Sequence, residues 1–222
     1  MDKKLILRRR QTISSRKGSK APLSINAAPS TRAQAEGQTP GFTSRKAKGL
    51  ILVTGGCRSG KSQFALDYAN RHFQKKLYLA TCEALDEEMT KRIEDHKEKR
   101  GNDWQTVEEP VEITEAIKQH RDRVEVILLD CITLWLSNLL MRQKSDQEII
   151  SEIGNLTDTA KQRQVSFIFV SNEVGMGIVP IDPLGRRFRD LSGMANQKIA
   201  EAADKVVFMV SGIPTCLKGT LP

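Results

Sequence analysis

Short runs of Val, Ile, Leu and Phe recur along the chain, each about the length of one buried strand and each separated from the next by helical or polar sequence. Strands are predicted at Leu50–Val53, Lys76–Ala80 (KLYLA), Trp104–Pro110 (WQTVEEP), Val124–Asp130 (VEVILLD), Val165–Ser171 (VSFIFVS) and Lys205–Val210 (KVVFMV), the last strand of the set. The runs at 50, 124 and 165 are nearly continuous rather than alternating, as in strands buried on both faces of a parallel sheet. Between them, helices are predicted over Gln63–His72, Asp86–Arg100, Val111–His120, Ile132–Gln143, Ser145–Gln164 and from Arg186 to about Ala203. Strand and helix alternating in this way predict an α/β fold, a mostly parallel sheet with helices on both faces. Trp135 is expected in the core.

The pattern stops before residue 48. Residues 1–47 are rich in Ser, Ala, Pro, Gly, Arg and Lys and have Phe42 as their only aromatic, so they lack the apolar surface to offset ordering entropy. They are expected to be a disordered basic extension, with 48–222 as the domain. The extension has the Arg- and Ser-rich, acid-poor look of a transit peptide; a basic arm for nucleic acid or an anionic surface, and a dispensable extension or an upstream start codon chosen in error, are the other readings.

The chain carries +8 overall, from 35 basic and 27 acidic side chains. Residues 1–48 hold 12 of the basic and 2 of the acidic ones, which leaves 23 and 25 for the body. A body at −2 argues against a nucleic-acid groove, and no nucleic-acid partner is expected. No apolar run approaches the roughly 20 residues of a membrane span. Four scattered cysteines without C-x-x-C spacing suit a reduced, cytoplasmic protein; Cys57 and Cys82 are expected as small thiols filling core space, with a place near the nucleotide as the other reading.

Chemistry enters at the end of the first apolar run. GLILVTGGCRSGKS (49–62) places Gly55, Gly60, Lys61 and Ser62 at the spacing G-x-x-x-x-G-K-[ST] of a P-loop, after a strand and before a helix. Glycines let backbone N–H groups converge on an anion, and the helix N-terminus favours negative charge at the same point. Lys61 then reaches the β- and γ-phosphates, and the Ser62 hydroxyl holds Mg²⁺. Asp130, at the end of a second buried strand, is the expected acidic partner of that Mg²⁺.

Other candidates have two readings each. Ala80, Thr81 and Cys82 sit at a strand's carboxyl end, where open α/β sheets bind ligands, or simply turn into the next helix. Glu108 accepts hydrogen bonds from a ribose or a guanine edge, or else caps the following helix. Arg92, His96 and Arg100 share one helix face with Lys97 and Lys99 beside them; that is either a solvated stripe or a neutral imidazole among cations, fit to attack phosphorus. The loop Asn172–Val179, with two glycines, suits a lid or substrate grip, and Arg186, Arg187 and Arg189 suit a clamp on a phosphorylated substrate or a neighbouring subunit.

Taken together, TGGCRSGKS (54–62), YLAT (78–81), RIEDHKEKR (92–100), LLDCITLWLSNLL (128–140), SNEVGMGIVP (171–180) and LGRRFRDLSGMANQKIAEAADKV (184–206) resemble the bifunctional adenosylcobinamide kinase / adenosylcobinamide-phosphate guanylyltransferase family of cobalamin biosynthesis. The likeness covers about residues 49–219 and leaves the basic extension outside. It implies a P-loop NTPase-type fold, a homotrimer, and two reactions: ATP or GTP phosphorylates adenosylcobinamide, and GMP then passes from GTP through a histidine to adenosylcobinamide phosphate. The histidine it implies is His96. The GTP contacts it implies are Gly55, Gly56, Cys57, Arg58, Ser59, Gly60, Lys61 and Ser62, then Ala80, Thr81 and Cys82, then Lys97, Glu98, Lys99 and Arg100, and Glu108 and Asp130. A P-loop kinase of another small alcohol, without guanylyl transfer, is the alternative.

Overall fold

A computed structural model describes residues 48–83 and 103–220. The predicted extension at 1–47 and the predicted helix at Asp86–Arg100, with His96 on it, lie outside the described residues.

One seven-stranded sheet organises the fold. Its strands are β1 (Leu50–Gly55), β2 (Lys76–Ala80), β3 (Trp104–Glu108), β4 (Val126–Asp130), β5 (Ser166–Val170), β6 (Lys205–Val210) and β7 (Ile213–Lys218), in the order β3-β2-β4-β5-β1-β6-β7. All neighbours pair in parallel except β6 and β7. The described helices are α1 (Lys61–His72), α2 (Ile113–His120), α3 (Ile132–Met141), α4 (Asp146–Lys161) and α5 (Pro183–Ala202). None of them is long and apolar enough to cross a membrane.

The continuous apolar runs are explained by covering on both sides. Ile51 and Val53 face a cluster completed by Ala65, Leu66 and Ala69 of α1, while Leu50 and Leu52 face a larger cluster built from α2, α3, α4 and α5. Trp135 is wholly buried in the larger cluster and its indole N–H donates to the Val111 carbonyl at 2.8 Å, so the ring is core, as predicted. A capping box starts α4: Ser145 accepts from the Glu148 backbone while the Glu148 carboxylate accepts from Ser145. Asp182 caps α5 and Pro183 opens it, so the helix begins three residues before the predicted Arg186.

One element departs from the prediction. Lys205–Val210 is not the last strand, because the chain reverses through Ser211 (φ 51°) and Gly212 (φ 84°) into antiparallel β7. Positive φ at both central residues is what a two-residue hairpin turn with the sheet's twist demands. β7 is an exposed edge strand with Pro214 inside it, so it shows neither burial nor alternation to the sequence reader.

Candidate functional site

The phosphate loop is shaped by left-handed backbone geometry, most of it at glycines. Gly55 has φ 147°, and a Cβ there would lie 2.4 Å from the Met209 carbonyl oxygen of β6. Gly60 has φ 94° and forms the N-cap of α1 without a side-chain cap, which leaves the helix's first N–H groups pointing into the loop. Arg58 also takes a positive φ, 54°, and Gly56, Cys57 and Arg58 stand exposed. Lys61 is 7% exposed and folds back over the loop, its Nζ donating to the Gly56 carbonyl at 2.6 Å. Ser62 follows, half-buried, one residue into the helix.

From this loop the candidate residues run sideways along the sheet. The pairing registers Val53↔Val170, Val170↔Asp130, Asp130↔Ala80 and Ala80↔Glu108 place Asp130, Ala80 and Glu108 on one row across β4, β2 and β3, level with Val53 near the end of β1. At about 4.8 Å per strand, Asp130 lies about 10 Å, Ala80 about 14 Å and Glu108 about 19 Å along that row from β1. Glu108 is exposed and Cys82 half-buried.

Asp130 is held from below. The Tyr78 hydroxyl donates to Asp130 Oδ2 at 3.0 Å, which orients the carboxylate. Ser62 and Asp130 both offer oxygen, the donor type that Mg²⁺ prefers, and the remaining ligands of such an ion are ordinarily phosphate oxygens and water. The residues therefore fit the ion; no group of three or more His, Cys, Asp or Glu that could hold a metal occurs among the described residues.

Thr81 has a different task from an exposed contact. It is wholly buried; its hydroxyl donates to the Cys131 carbonyl and accepts from the Cys131 N–H, both at 2.8 Å, and its own carbonyl accepts from Asn138 Nδ2 at 2.8 Å. These bonds lock the ends of β2 and β4 together and so fix Ala80 and Cys82. The bracing continues across the sheet edge. Thr133 Oγ1 lies 3.2 Å from Cys131 Sγ and accepts from Asn172 Nδ2 at 3.0 Å; Asn196 donates to the Asn172 carbonyl at 3.2 Å and accepts from Ser171 at 2.6 Å. Thr133, Asn138 and Asn196 escaped the sequence reading, and Asn172 entered it only as part of a loop, because the bonds joining Thr133 to Asn172, Asn138 to Thr81 and Asn196 to Ser171 span distant parts of the chain. Burial, with Asp130 beside it, pushes the Cys131 thiol up to about 11, so it serves as a neutral packing group.

One sequence expectation is corrected, and the α5 arginines acquire partners within the fold. Cys57 is exposed on the phosphate loop rather than filling core space, because residues 56–58 form the outward arc of the turn. The arginines of α5 are engaged within the fold: Arg187 binds Asp146 and the Lys144 carbonyl, Arg186 the carbonyls of Pro180 and Ile181, and Arg189 the Gly175 carbonyl. Arg186 and Arg189 brace the loop before α5, and Arg187 ties α5 to the start of α4.

A strand ending in a glycine-framed phosphate loop, with an aspartate at the end of β4 and β5 lying between them, defines a P-loop NTPase-type protein. Residues 51–217 match the family Cobinamide kinase / cobinamide phosphate guanyltransferase, and the chain belongs to that family. It is 41% identical over 181 residues to the Bifunctional adenosylcobalamin biosynthesis protein CobU of Escherichia coli (strain K12), covering 76% of this chain and 99% of that one. It is similarly 39% identical over 168 residues to the CobP protein of the same description from Pseudomonas aeruginosa, covering 76% and 96%. Among solved structures, that of the RadB recombinase overlaps with a TM-score of 0.43 at 15% identity, over 72% of this chain and 73% of that one, too loosely to bear on chemistry.

Proposed function

We propose that this protein is a cytoplasmic enzyme of cobalamin biosynthesis that runs two transfers over one nucleotide cradle. In the first, the hydroxyl oxygen of adenosylcobinamide attacks the γ-phosphorus of ATP or GTP, the bond to the β-phosphate oxygen breaks, and the hydroxyl proton leaves to solvent. In the second, a ring nitrogen of His96 attacks the α-phosphorus of GTP and pyrophosphate departs. A phosphate oxygen of adenosylcobinamide phosphate then takes the guanylyl group, the P–N bond breaks, and adenosylcobinamide-GDP forms with the imidazole restored.

The observation that carries this reading is the row from the phosphate loop past Asp130 to Ala80 and Glu108. Its length is comparable with an extended nucleoside triphosphate. A triphosphate tail in the loop therefore leaves the α-phosphorus over the middle of the sheet edge and the guanosine toward Ala80, Cys82 and Glu108. Lys61 and the loop N–H groups stabilise charge on the β- and γ-phosphates, Ser62 and Asp130 would hold Mg²⁺, and Lys97, Glu98, Lys99 and Arg100 follow the nucleophile in sequence. When bound, Mg²⁺ supplies charge neutralisation on the phosphate oxygens. The assembly proposed is a homotrimer, and the domain is proposed to begin at residue 48 after a basic extension.

Incubation with α-labelled GTP tests the covalent step. Acid-labile, base-stable label is expected on the wild-type chain and none on His96→Ala. Release of γ-label alone, with no α-label on the protein at any time, leaves a small-molecule kinase and refutes guanylyl transfer.

A further inference from the structure

The segment that follows β5 combines two properties that ordinarily exclude each other: it is tightly anchored, and it exposes large apolar side chains. Met176, Ile178, Val179, Ile181 and Leu184 are 77%, 96%, 55%, 97% and 53% exposed. Its polar groups meanwhile turn inward. The Glu173 N–H donates to the Gly55 carbonyl at 2.9 Å, the Gly175 N–H to Glu173 Oε1 at 2.9 Å, Arg189 to the Gly175 carbonyl at 2.7 Å, and Arg186 to the Pro180 carbonyl at 3.1 Å. Five large apolar side chains held out to water within nine residues of an anchored segment mark a binding face.

The first anchor says what for. Gly55 opens the phosphate loop, and β5 lies beside β1, so this segment leaves the carboxyl edge of the sheet at the cradle itself. The start of the segment is therefore fixed at the cradle, and its apolar stretch follows three residues on. We infer that Met176–Leu184 is the seat of the second substrate, the corrinoid, whose flat macrocycle offers broad apolar faces while its amide-bearing rim and side arm stay in water. Ile178 and Ile181 pack on the macrocycle, and the side arm that carries the accepting hydroxyl or phosphate reaches across Glu173 to the phosphate loop. The inference rests on the reading of the protein as a cobinamide enzyme and adds where that substrate lies.

Ile178→Gln, Ile181→Gln and the double variant test it, with Leu217→Gln on β7, an exposed apolar side chain of the edge strand, as the control. For each, the KM for adenosylcobinamide, the Kd of a fluorescent ATP analogue, the melting temperature and the sedimentation mass are measured. The double variant is expected to raise the KM for adenosylcobinamide about tenfold or more, since it removes the burial of two isoleucine side chains. Nucleotide affinity, melting temperature and mass stay at the wild-type values, and Leu217→Gln changes none of them. An unchanged KM overturns the assignment, and so does a fall in mass, which would make this face the seat of a second copy of the chain. If the wild-type protein turns over no adenosylcobinamide at all, the functional reading fails and this inference goes with it; if the wild type is active and the variants match it, only the seat is refuted.

Discussion

The Gly212 N–H, in the turn between β6 and β7, donates to the Ser59 carbonyl in the phosphate loop at 3.0 Å, and the two turns close on each other tightly enough that a Cβ on Gly60 would come within 3.4 Å of Gly212 Cα. The hairpin at the sheet's edge thus buttresses the nucleotide cradle. A Cβ at 212 meets no neighbour within 4 Å, but a valine there must adopt φ 84°, which costs about 1–2 kcal/mol or more and shifts the donor. Gly212→Val is expected to weaken binding of a fluorescent nucleotide by about tenfold, whereas Gly212→Asn, which tolerates that backbone and keeps the N–H, stays within about threefold. Equal affinities for the two variants would show that the hairpin does not support the loop.

Gly55 presents the stricter case. Its φ of 147° and the 2.4 Å approach of the Met209 carbonyl leave no room for a side chain, and the obstacle is backbone in a paired strand that cannot step aside. Gly55→Ala is expected to destabilise the fold by roughly 2–4 kcal/mol and to abolish nucleotide binding. Urea unfolding and nucleotide titration read the two effects separately.

The sheet was legible because its central strands are buried on both faces and so appear as unbroken apolar runs; 50–53, 124–130 and 165–171 each fell on a strand. β7 was not, since an edge strand that buries nothing leaves no periodic trace. The phosphate loop was legible because its glycines and Lys61 are close in sequence. By contrast, the contacts that hold it, Gly212 to Ser59 and Glu173 to Gly55, join segments more than a hundred residues apart, and nothing in local spacing announces them. Thr81 shows the same limit: its position at a strand end was readable, its partnership with Cys131 was not.

The cysteines give a test of loop occupancy. Cys57 is exposed in the cradle, while Cys131 is buried with its thiol held up to about 11, so that it stays protonated at pH 8. Brief treatment with iodoacetamide at pH 8 is expected to alkylate Cys57 and to spare Cys131 until denaturant is added. Saturating ATP and Mg²⁺ should slow the Cys57 reaction at least about fivefold, as mass spectrometry of the peptides would report. Unprotected Cys57 would place the triphosphate elsewhere.

Stability should depend on pH through the clasp at the start of β1. Asp204 takes both Arg163 guanidinium nitrogens, at 2.6 and 2.7 Å, and accepts from the Leu50 N–H at 2.9 Å. The hydrogen bond from Arg163 holds the Asp204 carboxyl below the usual carboxylate range. A depressed folded-state value means the stabilisation is complete above the unfolded-state pKa and is lost as pH falls through the folded one, that is, below about pH 4. The pair is partly exposed, so Asp204→Asn is expected to cost only about 0.5–1 kcal/mol at pH 7. That difference should shrink toward zero in urea titrations at pH 3; a gap that persists there would assign the cost to packing rather than charge.

Tyr78 tests how the carboxylate at the end of β4 is used. Its hydroxyl reaches Asp130 Oδ2 at 3.0 Å from the neighbouring strand, and the ring is buried against Trp104, 6.2 Å away in an edge-on arrangement, so the phenol has little freedom to point elsewhere. Tyr78→Phe keeps the packing and removes only the hydrogen bond, which leaves the carboxylate less well oriented. If Asp130 holds Mg²⁺ through the oxygen that Tyr78 does not occupy, the variant should need several-fold more Mg²⁺ for half-maximal turnover, with kcat at saturating metal within about twofold of wild type. Asp130→Asn, by contrast, should lower kcat by about a hundredfold or more at any metal concentration, since it removes the charge itself. A Tyr78→Phe enzyme with an unaltered Mg²⁺ requirement would restrict the phenol to a packing role, and an active Asp130→Asn enzyme would remove the aspartate from the metal site.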